Sequence, residues 1–456
     1  MDNDSATAGK SLESRLLHSF LKLSPVQKAV VIPVMMAAVF FLPAALTGDW
    51  LPNNQVWRST LVEFGFFAIA ALGLNILVGY CGLLNLGFAG FMCIGAYTAA
   101  ILMKTGVYLP FYTETLAGGE IMHYGLVEGG NAVKVMLGAK HGAEPVAMTI
   151  TEPITVYYYY HFSYWTACVV AMIHGAVWGV ILGLPTLHLT GDYFAIVTFG
   201  FAELVMLTAK NNIFELTNGT RGFPNVPGAS LDFGWLQSVG LFSTYNPSDL
   251  IITTSVTEKV YDWYVVAFWL ILVIFGLIRL SQSRLGRAWR AIREDELAAE
   301  ACGINTRWYK TQAFAISAAL GALAGAIQAA ALHNVDWANF KFIVSVYVLC
   351  YVVLGGMGTI GGAIAGTALL VGALEGLRFF LKDVLPSVSD SLADWRFLED
   401  LRLLLYGLVL VVFIRFRPEG LIASSRVTAE LHPKTDRERE HEDANYDKIK
   451  REEAMP

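Results

Sequence analysis

The charged side chains that lie beside apolar sequence gather in one run, S-R-L-G-R-A-W-R-A-I-R-E-D-E-L-A-A-E-A-C-G-I-N, from Ser283 to Asn305. Leu285, Trp289 and Ile292 recur at i, i+4 and i+7, and Ala299 continues the stripe, while Arg287, Arg290, Arg293, Glu294 and Asp295 take the other faces. This periodicity predicts an amphipathic helix from Arg284 that ends near Gly303, a residue suited to a left-handed cap. The chemistry of such a face is recognition. Periodicity alone leaves two readings open, a helix lying on anionic lipid or a docking element for another protein.

A second set of polar residues falls within or near apolar runs: Glu63, Asn75, Asn85, Thr198, Glu203, Gln328 and Glu375. Polar groups at membrane depth are costly, so each either ties helices together by hydrogen bonds or serves a solute path. Gly82, Gly87, Gly90 and Gly95 interrupt one run around Asn85. A helix broken there would free backbone groups, and its new N-terminus would favour a carboxylate. The candidate translocation path is therefore Asn75, Asn85, Gly87 and Gly90, with Tyr193, Thr198 and Glu203 from a second stretch.

Other chemistry is excluded by pattern. No G-x-x-x-x-G-K-[S/T] loop occurs, so the chain cannot cradle ATP phosphates in that manner. The nine histidines show no metal-ligand spacing, there is no nucleophile elbow, and no catalytic residue is assigned. Gly356 to Gly361 reads G-M-G-T-I-G, matching a dinucleotide fingerprint, but the strand and βαβ unit it needs cannot form between membrane spans. Those glycines predict a tight re-entrant turn. Gly321 with Gly325, and Gly362 with Gly366, are spaced for close helix contact. Asn218-Gly219-Thr220 is read as a turn.

The elements that must position these residues follow from composition. Of 456 residues, 55% are hydrophobic and 15% charged. The apolar residues form runs of about 20, the length that crosses roughly 30 Å of hydrocarbon. Candidate spans are Ala29–Leu46, Thr60–Tyr80, Leu83–Met103, Phe162–Leu184, Tyr193–Ala209, Val260–Leu280, Thr311–Ala331, Phe342–Leu354, Gly361–Phe380 and Leu401–Phe416. The expected fold class is an all-α, polytopic transmembrane bundle of about ten spans with re-entrant or broken helices. The link at Tyr80 to Gly82 is too short to join two full spans comfortably, which favours a break.

Arg284, Arg287, Arg290, Arg293, Arg307 and Lys310 place residues 281–310 in the cytoplasm. Counting outward puts both termini there, with an N-terminal segment at 1–28 and a charged tail at 424–456. The transmembrane domain is expected over 29–423, with outer loops at 104–161 and 210–259. The first apolar run is too long for a secretory signal core. Cys81, Cys93, Cys168, Cys302 and Cys350 are odd in number and lie mostly in apolar runs, which argues against a disulfide framework. Nucleic acid is not an expected partner.

Glu296, Ala298, Ala299 and Gly303 resemble the E-x-A-A-x-x-x-G loop of ABC importer permeases. The stretch Arg290–Asn305 is similar to branched-chain amino-acid permeases of the LivM type. So are G-D-Y-F-A-I-V-T-F-G-F-A-E-L-V (Gly191–Val205), G-L-L-N-L-G-F-A-G-F (Gly82–Phe91), V-V-L-G-G-M-G-T-I-G-G (Val352–Gly362) and R-P-E-G-L (Arg417–Leu421). Loop 104–161 is longer than the family's usual one, and the tail is extra. The resemblance implies a non-catalytic permease subunit in the bacterial inner membrane that works by alternating access. It implies four kinds of partner: two ATPase subunits, a related second permease, a periplasmic binding protein and the lipid bilayer. ATP and Mg would be used by the ATPases, with no cofactor on this chain. Coupling to them is then assigned to Arg287, Arg290, Arg293, Glu294, Asp295, Glu296, Ala298, Ala299 and Gly303. Related permeases for urea or short amides keep the substrate open, and a stand-alone secondary transporter or channel is the reading from another class.

Overall fold

A computed structural model describes residues 54–105, strands between 107 and 161, and residues 162–186, 192–213, 216–232, 251–253 and 259–379, with 407, 411, 415 and 420–422 beyond. The expected span Ala29–Leu46, nearly all of Leu401–Phe416, and the charged tail lie outside the described residues. The described helices are α1 (Asn54–Asn75), α2 (Phe88–Ala100), α3 (Tyr164–Thr186), α4 (Asp192–Asn211) and α5 (Lys259–Gln282). Then come the short α6 (Arg284–Glu294) and α7 (Glu296–Ala301), followed by α8 (Thr306–Leu332), α9 (Phe342–Gly355) and α10 (Ile360–Phe379). Helices α1, α3, α4, α5 and α8 are long and apolar enough to cross a bilayer, and α9 and α10 form a pair bent by 119°. The chain is a multi-pass membrane protein.

Helix α8 is the axis, packed against α3, α2 and α1. Its sequence is rich in Ala and Gly because lipid tails are as apolar as Leu, so helix association in a bilayer depends on close contact. A Cβ added to Gly325 would lie 1.9 Å from the Met92 carbonyl oxygen, and one on Gly95 would lie 1.9 Å from that of Ala322. Gly366 likewise presses on the Tyr351 carbonyl, 2.1 Å from such a Cβ. Both small-residue pairs read from the sequence therefore mark close contacts, backbone to backbone at Gly325, Gly362 and Gly366 and against the Phe88 and Phe91 side chains at Gly321. Gly175, Gly179 and Gly183 of α3 meet Ala318/Ala322, Ala318 and Phe314 in descending order, so α3 runs antiparallel to α8.

The expected break is present. Helix α1 ends in a π-helical turn, Ile76–Cys81, stopped by Gly82 at φ 71°, and residues 82–87 are not helical. Helix α2 begins at Phe88, whose ring lies against Gly321 past the middle of α8. The predicted span Leu83–Met103 is thus corrected. Its first part, Leu83–Gly87, is not helical, and the helix starts at Phe88 inside the bundle, continuing through a π-helical turn to Thr105.

The all-α expectation holds for the bundle, while the loops add small sheets. In loop 104–161, β1 (Val107–Leu116) pairs antiparallel with β5 (Ile154–His161), β3 (Ala132–Met136) joins β5 in parallel, and β2 (Glu120–His123) pairs with β4 (Val146–Thr149). In the second loop, β7 (Ser230–Asp232) pairs with β8 (Ile251–Thr253). Strand β6 (Phe223–Pro224) pairs with β9 (Asn334–Val335), fastening that loop to the end of α8. Asn218-Gly219-Thr220 is the turn expected: Asn218 Nδ2 donates to the Gly222 carbonyl at 2.8 Å.

Candidate functional site

The basic segment is two helices, not the single one predicted from Arg284 to Gly303. Ser283 caps α6, its Oγ accepting from Gly286 N at 3.4 Å. Asp295 leaves the helix at φ −155° and ψ 114°, and its carboxylate accepts from Leu297 N at 2.9 Å and Ala298 N at 3.0 Å, starting α7. An Asp in this place satisfies two of the N–H groups that every helix start leaves orphaned. The predicted apolar stripe survives the break: Trp289, Ile292 and Ala299 are buried, and Trp289 Nε1 donates to the Tyr309 carbonyl at 2.8 Å. Gly303 takes the left-handed conformation expected of it, at φ 83°.

The charged residues assigned to coupling divide by what they touch. Arg287 donates to the Gln282 carbonyl at 2.8 Å and Arg290 to that of Ser281 at 3.0 Å. Both cations therefore cap the end of α5, where orphan carbonyls and the helix dipole favour positive charge. Glu296 pairs with Lys310 at 2.5 Å, tying α7 to α8. Glu294, Ala298 and Gly303 are exposed, with Glu300 and Arg307 around them. Two large apolar side chains of this segment face outward, Leu297 at 77% and Trp308 at 60% exposure. Large apolar groups so exposed within a charged rim have the make-up of a protein-binding patch.

Behind this surface lies a junction of broken backbone. Arg293, half-buried, donates from Nη1 to the Gly79 carbonyl in the π-helical turn of α1. Across it, Asn75 accepts from Gly358 N at 2.8 Å and donates to the Thr359 carbonyl at 3.0 Å, gripping the turn between α9 and α10. Leu421 N and Ile422 N then donate to the carbonyls of Leu354 and Gly355 at 2.8 and 2.9 Å. A helix that ends at depth must find partners for its last carbonyls within the protein, and R-P-E-G-L and the residue after it supply them for α9. The predicted re-entrant turn at G-M-G-T-I-G is this bend.

The start of α2 is capped in the same spirit. Gly87 N donates to Asn85 Oδ1 at 2.8 Å, Leu86 N to Thr198 Oγ1 at 3.2 Å, and Ala89 N to Ser345 Oγ at 2.9 Å. These donors, which the sequence reading offered to a substrate carboxylate, are occupied by the protein's own side chains. A Cβ on Gly87 would sit 1.9 Å from the Thr198 carbonyl oxygen, and one on Gly90 would sit 2.9 Å from Ala202 Cα, so both glycines serve the contact of α2 with α4. Asn85 is fully buried and its Nδ2 has no hydrogen-bond partner among the described residues. The seven path candidates therefore separate. Asn75, Asn85, Thr198, Gly87 and Gly90 take part in helix-to-helix contacts or caps, whereas Tyr193, 71% exposed, and half-buried Glu203 are the more open positions on α4.

Sequence reasoning missed Ser345 and Ser317, the latter donating to the Gly73 carbonyl at 2.7 Å and holding α8 to α1. Serine scarcely lowers the hydropathy of a span, and the signal that could have found these two is their place in otherwise apolar or small-residue helices. It also missed a chain of bonds on α3. Trp178 Nε1 donates to His174 Nε2 at 2.9 Å, which leaves the proton of a neutral ring on Nδ1, 2.7 Å from Thr98 Oγ1.

An apolar bundle with a helix broken at depth, a sharply bent helix pair and a basic segment presenting an apolar patch defines a membrane transport subunit. The chain belongs to the family described as branched-chain amino acid transport system / permease component, which it matches over residues 57–414. It is 32% identical to the high-affinity branched-chain amino acid transport system permease protein LivM of Escherichia coli, over 80% of this chain and 69% of that protein. A probable LivM of Methanocaldococcus jannaschii is 25% identical over 79% of this chain and 92% of its own length. LivH of Salmonella typhimurium, a permease protein of the same kind of system, is 34% identical over 31% of this chain and 46% of its own length. No solved structure matches the chain. Proteins of this family are transport permease subunits, and the chain is a LivM-type permease that works as a translocating component.

Proposed function

We propose that the chain imports branched-chain amino acids as one of two related permeases driven by a pair of ATPase subunits and supplied by a periplasmic binding protein. The observation that carries the reading is the exposed patch of Leu297, Ala298, Gly303 and Trp308, held on a segment fastened to three membrane helices. In this reading the patch faces the cytoplasm, seats an ATPase subunit, and both chain termini lie on the same side of the inner membrane. The binding protein docks on the opposite loops. ATP and Mg are bound by the ATPases, whose closure moves α6 and α7 and shifts the bundle between two packings. Similarity to both LivM and LivH supports a related but different permease as the second subunit. Tyr193 and Glu203 are the candidates for the solute path on this chain.

The test is uptake into proteoliposomes holding this chain with the permease, ATPase and binding protein encoded beside it. ATP-dependent entry of leucine, isoleucine and valine is expected, with urea and acetamide excluded. Entry that needs no ATP, or that is selective for urea, overturns the reading.

A further inference from the structure

Arg293 stands apart from the other arginines of its helix. Arg287 and Arg290 reach back to the end of α5, on their own stretch of chain, while Arg293 crosses to Gly79, more than two hundred residues away in sequence. Its stem fills the place beside Gly82, where an added Cβ would meet Arg293 Cγ at 3.1 Å, and its guanidinium lies 3.2 Å from the Cβ position of Gly358. One side chain thus touches the basic segment, the π-helical turn before the break, and the α9–α10 turn. Asn75 bonds those last two to each other, and Ile422 closes the far side of the same turn. The Gly79 carbonyl belongs to the C-terminal end of a helix, where a cation is favoured. Arg293 therefore exchanges one such carbonyl for another only by changing how these parts sit together.

We propose that Arg293 is a positioning residue that transmits displacement of α6 to the break between α1 and α2 and to the α9–α10 turn, and is not a contact for the ATPase. This rests on the importer reading above. The guanidinium acts as a rigid link between two parts of the backbone that already interrupt regular helix and can shift without unwinding a span. Three of the five motif stretches meet at this link, and Leu421 of a fourth caps α9 at the same turn, which explains why the stretches include glycines and a capping segment as well as charges.

The experiment uses the complete complex in proteoliposomes, comparing Arg293→Ala and Arg293→Lys with wild type. Expected are normal co-purification of the ATPase subunits and a fall of at least about tenfold in leucine taken up per ATP hydrolysed for the alanine variant, as befits loss of a coupling element. Lysine, which keeps the charge but not the planar fork, is expected to fall between. Combining Arg293→Ala with Asn75→Ala should cost little more than either alone, because both loosen one junction. Release of the ATPase subunits by Arg293→Ala would make it a docking residue and overturn the proposal, as would unchanged uptake per ATP in both variants. Should the alanine variant fail to fold, lysine alone decides by the same ratio. Failure of the wild-type complex to show ATP-dependent uptake would instead remove the importer reading.

Discussion

Replacing Asn75 by Ala should weaken the bundle more than any solvent-exposed substitution on it, and by an amount the geometry bounds. The side chain is 1% exposed and makes two bonds, 2.8 Å from Gly358 N and 3.0 Å to the Thr359 carbonyl. Alanine leaves both backbone groups without their partner at a turn that water reaches poorly. Interhelical hydrogen bonds measured in a membrane protein average about 0.6 kcal/mol, which sets a floor of about 1 kcal/mol for two. A buried orphan group costs about 1–3 kcal/mol, which sets a ceiling near ~6 kcal/mol if neither of the two finds another partner. About 2–4 kcal/mol is the expected loss. Asn75→Asp keeps the acceptor for Gly358 and, when protonated, offers one O–H to the Thr359 carbonyl, so the protonated acid should fall between wild type and alanine. Gly79→Ala is an independent probe, since its Cβ would lie 2.1 Å from Asn75 Oδ1 and 2.5 Å from Gly358 N while no polar atom is removed. Equilibrium unfolding of the purified chain in mixed micelles measures all three. An Asn75→Ala loss under about 0.5 kcal/mol, the usual size of a surface substitution, would refute the assignment of Asn75 as the clamp on the α9–α10 turn.

Gly325→Val should cost about 1–3 kcal/mol or more through overpacking against Met92, whereas Gly276→Ala on α5, with open space around it, should be neutral or stabilising by up to about 1 kcal/mol; detergent melting curves compare them. Asp295→Ala should lower stability by about 0.5–2 kcal/mol and increase amide exchange at Leu297 and Ala298, because α7 loses its cap. Leu297→Glu should leave the melting curve within about 0.5 kcal/mol of wild type, being a surface change, yet reduce recovery of the ATPase subunits in pull-down; full recovery would remove the patch from the docking surface.

Much of the fold was legible because membrane helices are written in composition. The spans that became α1, α3, α4, α5 and α8 follow from apolar length, and the break near Gly82 follows from glycines set around a polar residue. The split at Asp295 was not read, although Asp is a preferred capping residue, because the apolar stripe runs through the interruption without losing its face. The site was legible as a set of motifs and illegible as an arrangement. Asn75, Asn85 and Thr198 were picked out because burying amides and hydroxyls is costly. Sequence cannot say whether that cost is offset by solute or by backbone, and here the backbone of helix ends takes most of the bonds. Glu296 carried a docking signature by pattern and proves to be paired with Lys310, a partner fourteen residues away whose position depends on how α7 turns.

The bonds from Leu421 and Ile422 to the last carbonyls of α9 also set an order of events during synthesis. The chain is made from its N-terminus, so α9 and α10 enter the membrane before the residues that complete α9 exist. Until residues 420–422 emerge, the carbonyls of Leu354 and Gly355 lack their donors, and the α9–α10 hairpin is an unfinished element held within lipid. A ribosome stalled short of Gly420 would leave every described helix present and the junction open. The capping segment is thus the last part of the junction to be synthesised, and α9 is completed only by chain made well after it.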